Sequence, residues 1–257
     1  LLNQAFYQLA RSAKQFYMLG PNIDQLPDGF AETFDCQFIR TTFSTVTSET
    51  HMVPDGRDEC ERLQKLVPSL EGSTLVFSAS PKKARTYSRV IASNTDTFTP
   101  SPHLDETINW LSDNFSPSWG VVQRLKKGVG THHAKLPRSV AQMMVRLFNK
   151  AHLNHLVCTS TLIEGVNTAA RNVVIVDNKI SNKKYKYFTY NNIRGRAGRM
   201  WEHFVGHVYL FHEPPTKELD FVDVPIFTQD ESTPDALLVQ LEKDDLTQSA
   251  ARRMEPV

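Results

Sequence analysis

Residues 74–93 read TLVFSASPKKARTYSRVIAS, and this run decides the fold class. Its first six residues form an apolar stretch of strand length. Ser80-Pro81 then offers an N-cap followed by proline at the first helical position, where the missing N–H leaves no hydrogen bond unmade. KKARTYSRVIAS continues as a helix. A short buried strand running straight into a helix is the unit from which parallel sheets are assembled.

Working outward, the same alternation repeats. LDETINWLSDNF (104–115) and WGVVQRLKKG (119–128) read as helices, and GVGTHHA (128–134) as a strand. PRSVAQMMVRLFNKAH (137–152) is an amphipathic helix, with Val140, Met143, Met144, Leu147 and Phe148 recurring at three and four. HLVCTST (155–161), RNVVIVD (171–177) and GHVYLFH (206–212) are strands, and the basic run NKISNKKYKYF (178–188) reads as a hairpin. Upstream, residues 1–19 carry apolar positions at helical spacing up to Gly20-Pro21, and CQFIRTTFSTVTS (36–48) has strand-like β-branched content. HMVPDGRDE (51–59) reads as a loop, followed by a short helix over 60–67. Strands separated by helices imply an α/β fold: a mainly parallel β-sheet flanked by helices on both faces.

A length of 257 residues suits one large domain with flanks, and 40% hydrophobic with 22% charged residues is an ordinary globular balance. The net charge of +1 points to no polyanionic partner, so any nucleic-acid contact must come from local clusters. Three cysteines with no CxxC pair argue against a disulfide framework or zinc ribbon and for a reducing, cytoplasmic setting. No apolar run approaches the ~20 residues of a membrane span, so no membrane partner is expected. The chain opens on Leu1 and reads as helix at once, which leads us to expect that it begins partway through a larger protein.

The chemistry concentrates in NNIRGRAGRM (191–200), where Arg196 and Arg199 each follow a glycine. If the run is helical, residues three apart share a face and both guanidinium groups reach one anion, for which their planar forks suit phosphate oxygens. Gly195 and Gly198 each lower helix propensity by about 1 kcal/mol, which argues for close backbone approach or tight helix–sheet packing; the alternative reading of the run is a solvated basic turn. Upstream lies CTSTLIEGVNTAARNVVIVD (158–177), in which a strand ends in Thr159, Ser160 and Thr161 at the carboxyl edge of a parallel sheet. Thr161 and Glu164 also match a capping box, the reading favoured for Glu164. Lys179, Lys183, Lys184 and Lys186 with their aromatic neighbours are either a solvated hairpin or a phosphate-backbone contact. His203, His207 and His212 lack a nearby acidic or cysteine partner and read as ordinary histidines. Trp110 and Trp119 read as residues that pack helices onto the sheet.

LVFSAS, GVGTHHAKLP, CTSTLIEGVN and NIRGRAGR stand in the order and spacing of the later motifs of superfamily 2 helicases. Over residues 74–212 the chain resembles the second RecA-like domain of the Ski-like, DExH-type branch. The resemblance implies that Arg196 and Arg199 reach the γ-phosphate of ATP bound with Mg2+ on a first RecA-like domain. Arg199 matches the arginine finger, a role worth ~10³ to 10⁵ in rate. Gly165, Asn167 and Asn192 fall on the nucleotide side. Ser78, Ser80, His133, Thr159 and Ser160 match positions that contact the backbone of single-stranded or partly duplex nucleic acid, DNA or RNA. The chain departs from the family at Asn192, where glutamine is usual, at Thr168-Ala169 in place of Leu-Pro, and at Lys135 in place of glycine.

GxxxxGKS/T occurs nowhere in the chain, and DECE at Asp58 follows a polar segment rather than a buried strand. The expected layout is a remnant of a first RecA-like domain (1–28), a linker and entry segment (29–72), the second RecA-like domain (73–215) and a C-terminal extension (216–257). The leading expectation is a helicase or translocase domain that is inactive alone. A catalytically inactive nucleic-acid-binding scaffold is the alternative.

Overall fold

The computed structural model of the protein describes residues 2–19, 26–39, 47–95, 98–163, 168, 170–198, 205–217 and 225–254. The chain forms two compact units, one of Ser44–Glu218 and one of Leu1–Phe43 with Leu219–Val257. In chain order the elements are α1 (Leu2–Ser12), α2 (Phe30–Thr33), β1 (Thr47–Met52), α3 (Glu59–Leu66), β2 (Thr74–Phe77), α4 (Pro81–Ser93), α5 (Pro102–Asn114) and α6 (Gly120–Leu125). There follow β3 (Val129–His132), α7 (Arg138–Asn149), β4 (His155–Cys158), α8 (Ser160–Ile163), β5 (Asn172–Ile175), β6 (Lys179–Ile180), β7 (Lys183–Lys184), α9 (Tyr187–Arg194) and β8 (Val205–Leu210). The last three helices are α10 (Pro225–Thr228), α11 (Asp235–Leu238) and α12 (Gln248–Met254).

Six strands make one all-parallel sheet in the order β1-β8-β5-β2-β4-β3. Every residue of β2, β3, β4 and β5 is buried, the continuous burial expected when helices cover both faces. On one face Leu75, Phe77, Leu156, Cys158, Val173, Ile175, Val208 and Leu210 pack with α5, α6, α7 and α9. On the other, Val76, Val157 and Val174 pack with Leu63 of α3 and with Ala84, Tyr87 and Ile91 of α4. The expected α/β architecture is therefore the observed one. β6 and β7 form the expected hairpin, and Tyr185 beside them sets its ring edge-on to Phe77 at 5.9 Å.

Caps explain several boundaries. Ser80 accepts a hydrogen bond from the Lys83 N–H at the start of α4, as its sequence predicts. Asp58 caps α3 through the Glu61 N–H, so DECE is a helix start.

Three expectations change. α1 ends at Ser12, well before residue 19, because the chain turns and Phe16 folds back edge-on to Phe6. The entry strand is Thr47–Met52, later than residues 36–48, and takes in His51 and Met52. Residues 36–39 carry no regular structure, and 40–46 lie outside the described residues. As an edge strand, β1 is held by its ladder to β8 and shows no buried run of its own. Trp110 is 51% exposed and does not pack onto the sheet, whereas Trp119 does.

The smaller unit has its own core of Tyr7, Phe30, Leu238, Leu241 and Ala250. The Tyr7 hydroxyl accepts from the Glu242 N–H at 3.0 Å and donates to Asp245, joining residues far apart in the chain.

Candidate functional site

Parallel register places four strand ends level: His132, Cys158, Phe77 and Ile175 are partners across β3, β4, β2 and β5. The next residues in each strand therefore form one rim at the carboxyl edge, where open α/β sheets bind ligands. That rim holds His133, Thr159, Ser160, Ser78 and Ser80. Local backbone bonds extend the ladder past the strands, with Thr159 N–H donating to His132 O at 3.2 Å and Ser78 N–H to Cys158 O at 2.9 Å.

Within the rim the hydroxyls differ. Ser78 is fully buried, and its Oγ donates to the Cys158 carbonyl at 2.8 Å. Ser80 is partly exposed, at the head of α4. Thr159 Oγ1 lies 3.1 Å from Thr161 Oγ1, and α8 begins at Ser160, so Thr161 is already inside the helix. His133 is 4% exposed, with Nδ1 lacking a hydrogen-bond partner. Burial lowers its pKa against a backbone hydrogen bond that raises it, and the positive charges of Arg85, Arg124 and Lys135 lower it further.

Asp177, which the sequence reading did not single out, organises this rim. It is 4% exposed; its Oδ2 accepts from the Ala79 N–H at 2.8 Å, and its Oδ1 pairs with Lys83 and lies 3.4 Å from the Tyr87 hydroxyl. Ser181 N–H donates to Ala79 O at 2.8 Å. The connections that follow the neighbouring strands β2 and β5 are thus tied together around Ala79. The only local signal was an aspartate ending a buried strand. Its partners lie 90 or more residues away.

The turn that carries Arg196 sits at the other end of β5. α9 stops at Arg194, and Gly195 to Gly198 form a turn, so Arg196 is not on a helix as the sequence suggested. Gly198 has φ +85°, which favours glycine and ends any helical continuation. Ala197 makes a parallel bridge with Ala170, two residues before β5, through Ala170 N–H to Arg196 O at 2.9 Å and Gly198 N–H to Ala170 O at 2.8 Å. A Cβ on Gly206 of β8 would lie 2.4 Å from Ala197 C and 2.4 Å from Gly198 N, so the turn lies directly on β8. The close-approach glycine is Gly206. Arg199, Gly165, Asn167 and Glu164 lie outside the described residues.

Arg196 is half-buried, and burial lowers its pKa in part, although arginine remains charged. Its charge acts on Cys158, where burial nevertheless pushes the thiol up to about 12 and leaves it unreactive. Asn192 is exposed on α9, while the neighbouring Asn191 has a buried Oδ1 without a hydrogen-bond partner, as does Thr168 at Oγ1. A guanidinium on a turn bridged to Ala170 and packed on Gly206 suits a phosphate oxygen. Mg2+ selects oxygen ligands. The one group of three close metal-capable side chains among the described residues, Glu49, His51 and His207, contains two imidazoles and does not suit it.

Residues 59–200 match the helicase conserved C-terminal domain. The chain is 34% identical over its whole length to anti-bacteriophage protein B of Escherichia coli, of which it covers 35%. It is 28% identical over 152 residues to the helicase POLQ-like protein of Caenorhabditis elegans, matching 57% of this chain and 16% of that one. It is also 38% identical over 85 residues to a DExH-box ATP-dependent RNA helicase of Arabidopsis thaliana, covering 31% of this chain and 4% of that one. The chain thus spans about a third or less of these relatives. With the family match over residues 59–200 and a six-stranded parallel sheet, the chain belongs to the superfamily 2 helicase C-terminal domain family.

Proposed function

We propose that the chain is the second RecA-like domain of an ATP-dependent nucleic-acid helicase or translocase, spanning residues 73–215. The carrying observation is that one stretch of chain joins the strand-end rim to the bridge that holds the Arg196 turn. Ser80, His133, Thr159 and Ser160 stand at the sheet's carboxyl edge, the Arg196 turn is bridged to the amino end of β5, and residues 159–170 connect them. That connection suits a coupling element: what moves its nucleotide end moves its strand end.

In this reading Arg196 and Arg199 stabilise charge on the γ-phosphate of ATP, held with Mg2+ mainly by a first RecA-like domain of the same protein. Gly165, Asn167 and Asn192 line the nucleotide side. Unpartnered Asn191 Oδ1 and Thr168 Oγ1, in the segments leading to the Ala170–Ala197 bridge, support a surface completed by a ligand. At the carboxyl edge Ser80, His133, Thr159 and Ser160 face the sugar-phosphate backbone, with Ser78 supporting the rim through Cys158. Exposed Lys183 and Lys184 of the hairpin add positive charge beside it. Backbone contacts of this kind carry little sequence information.

The experiment is ATPase with a cognate first domain supplied, together with single-strand binding at several salt concentrations. The chain alone should hydrolyse ATP negligibly. Arg199→Ala, at the arginine-finger position, should lower the reconstituted rate by about 10³-fold or more, and Arg196→Ala should lower it as well, while both leave strand affinity within a few-fold. Equal ATPase rates for wild type and Arg196→Ala would overturn the catalytic role and favour the scaffold.

A further inference from the structure

We propose that Glu49, His51 and His207 form a zinc-binding site that clasps the edge strand β1 to β8. β1 runs parallel to β8 with Glu49 opposite His207 and His51 opposite Tyr209. Residues two apart on a strand point to one face, so Glu49 and His51 project together, and His207 joins them from the neighbouring strand. His51 Nε2 lies 3.3 Å from His207 Nδ1. Glu49 Oε2 lies 3.5 Å from His207 Nδ1 and 3.9 Å from His51 Nε2.

These separations fit a tetrahedral ion. Zn–N and Zn–O bonds of about 2.0–2.2 Å put neighbouring ligand atoms roughly 3.3–3.6 Å apart. The triangle therefore already has close to the required size. The site is also braced, because the Tyr209 ring stacks on His51 at 5.0 Å and 25°. Two imidazole nitrogens facing each other share one hydrogen between them. A bound cation replaces it and accepts both lone pairs, with the carboxylate balancing charge.

Two imidazoles with one carboxylate suit zinc far better than Mg2+ or Ca2+, which prefer oxygen. All three side chains are partly exposed, so the ion enters from solvent and water takes the fourth position. The consequence is mechanical. β1 is bonded to a single neighbour in the sheet, and the ion cross-links it to that neighbour. The reading does not rest on the helicase assignment.

The test titrates Zn2+ alone into the metal-stripped protein and follows thermal unfolding, with Co2+ absorption reporting coordination geometry. Saturating Zn2+ should raise the midpoint by roughly 5–10 °C, and Co2+ should give the intense visible bands of a tetrahedral site. His51→Ala and His207→Gln should each weaken Zn2+ binding by at least about 10–100-fold, since losing even an outer-shell partner does that much. Glu49 is the most exposed of the three, so Glu49→Gln preserves the fold and should also weaken binding. His103→Ala, at a histidine paired elsewhere with Glu106, should change nothing. No Zn2+-dependent stabilisation of the wild type, or stabilisation that survives both His51→Ala and Glu49→Gln, overturns the proposal.

Discussion

Gly206 and Gly195 show how differently two glycines beside one motif are constrained. A Cβ at Gly206 would sit 2.4 Å from backbone atoms of Ala197 and Gly198, which cannot yield without moving the turn. At Gly195, in an ordinary helical conformation, the nearest contact would be the Asn191 carbonyl at 3.1 Å. Gly206→Ala should therefore destabilise the protein by about 1–3 kcal/mol through overpacking and displace the Arg196 turn. Gly195→Ala should cost less. Urea unfolding of the two variants decides it; equal effects would show that the turn is not held against β8. The sequence pointed to glycines beside the arginines. It carried no sign of Gly206, because that constraint comes from Ala197 and Gly198, earlier in the chain, folding onto a strand.

At the scale of elements, Arg62 holds α3 to the sheet. Only 9% exposed, it donates to the carbonyls of Pro54 at 2.9 Å, Val53 at 2.7 Å and Phe211 at 3.1 Å, and its guanidinium lies 4.4 Å over the Phe211 ring. Three charge-assisted bonds from one planar fork join the ends of β1 and β8 to a helix. Arg62→Ala leaves buried carbonyls unpaired and should cost about 3 kcal/mol or more in chemical unfolding. Lysine lacks the fork, so Arg62→Lys should restore only part of this. Full restoration by lysine would mean that charge alone matters. The arginine was invisible in the sequence, where it reads as one charge on a short polar helix. The Ser80 cap of α4 was plain there because all of its partners are local.

For the whole molecule, buried imidazoles tie stability to pH. Burial pushes His155 down to about 4 and lowers His132 and His133 as well. In the unfolded chain each titrates near ~6.5. Above that value neither state is charged. As pH falls from ~6.5 towards 4, the unfolded state binds protons that the native state refuses, so stability is lost. His155 alone accounts for a loss on the order of 3 kcal/mol across that window. The urea midpoint should fall between pH 7 and 4.5, and His155→Gln should flatten the decline. A wild-type profile without a slope there would defeat the prediction.

By itself the sequence determined the alternation of strands and helices, the caps and the ordered helicase motifs, because periodicity, capping and motif spacing are local. It also placed His133, Thr159, Ser160 and Ser80 together at strand ends, since a parallel sheet brings every such end to one edge. Only the tertiary structure decided what depends on pairs distant in the chain. It put Arg196 on a turn bridged to Ala170, closed Asp177 around the Ala79 connection, and brought His51 and Glu49 to His207 across some 156 residues. Such contacts follow from strand order and register, and no window of sequence contains both partners.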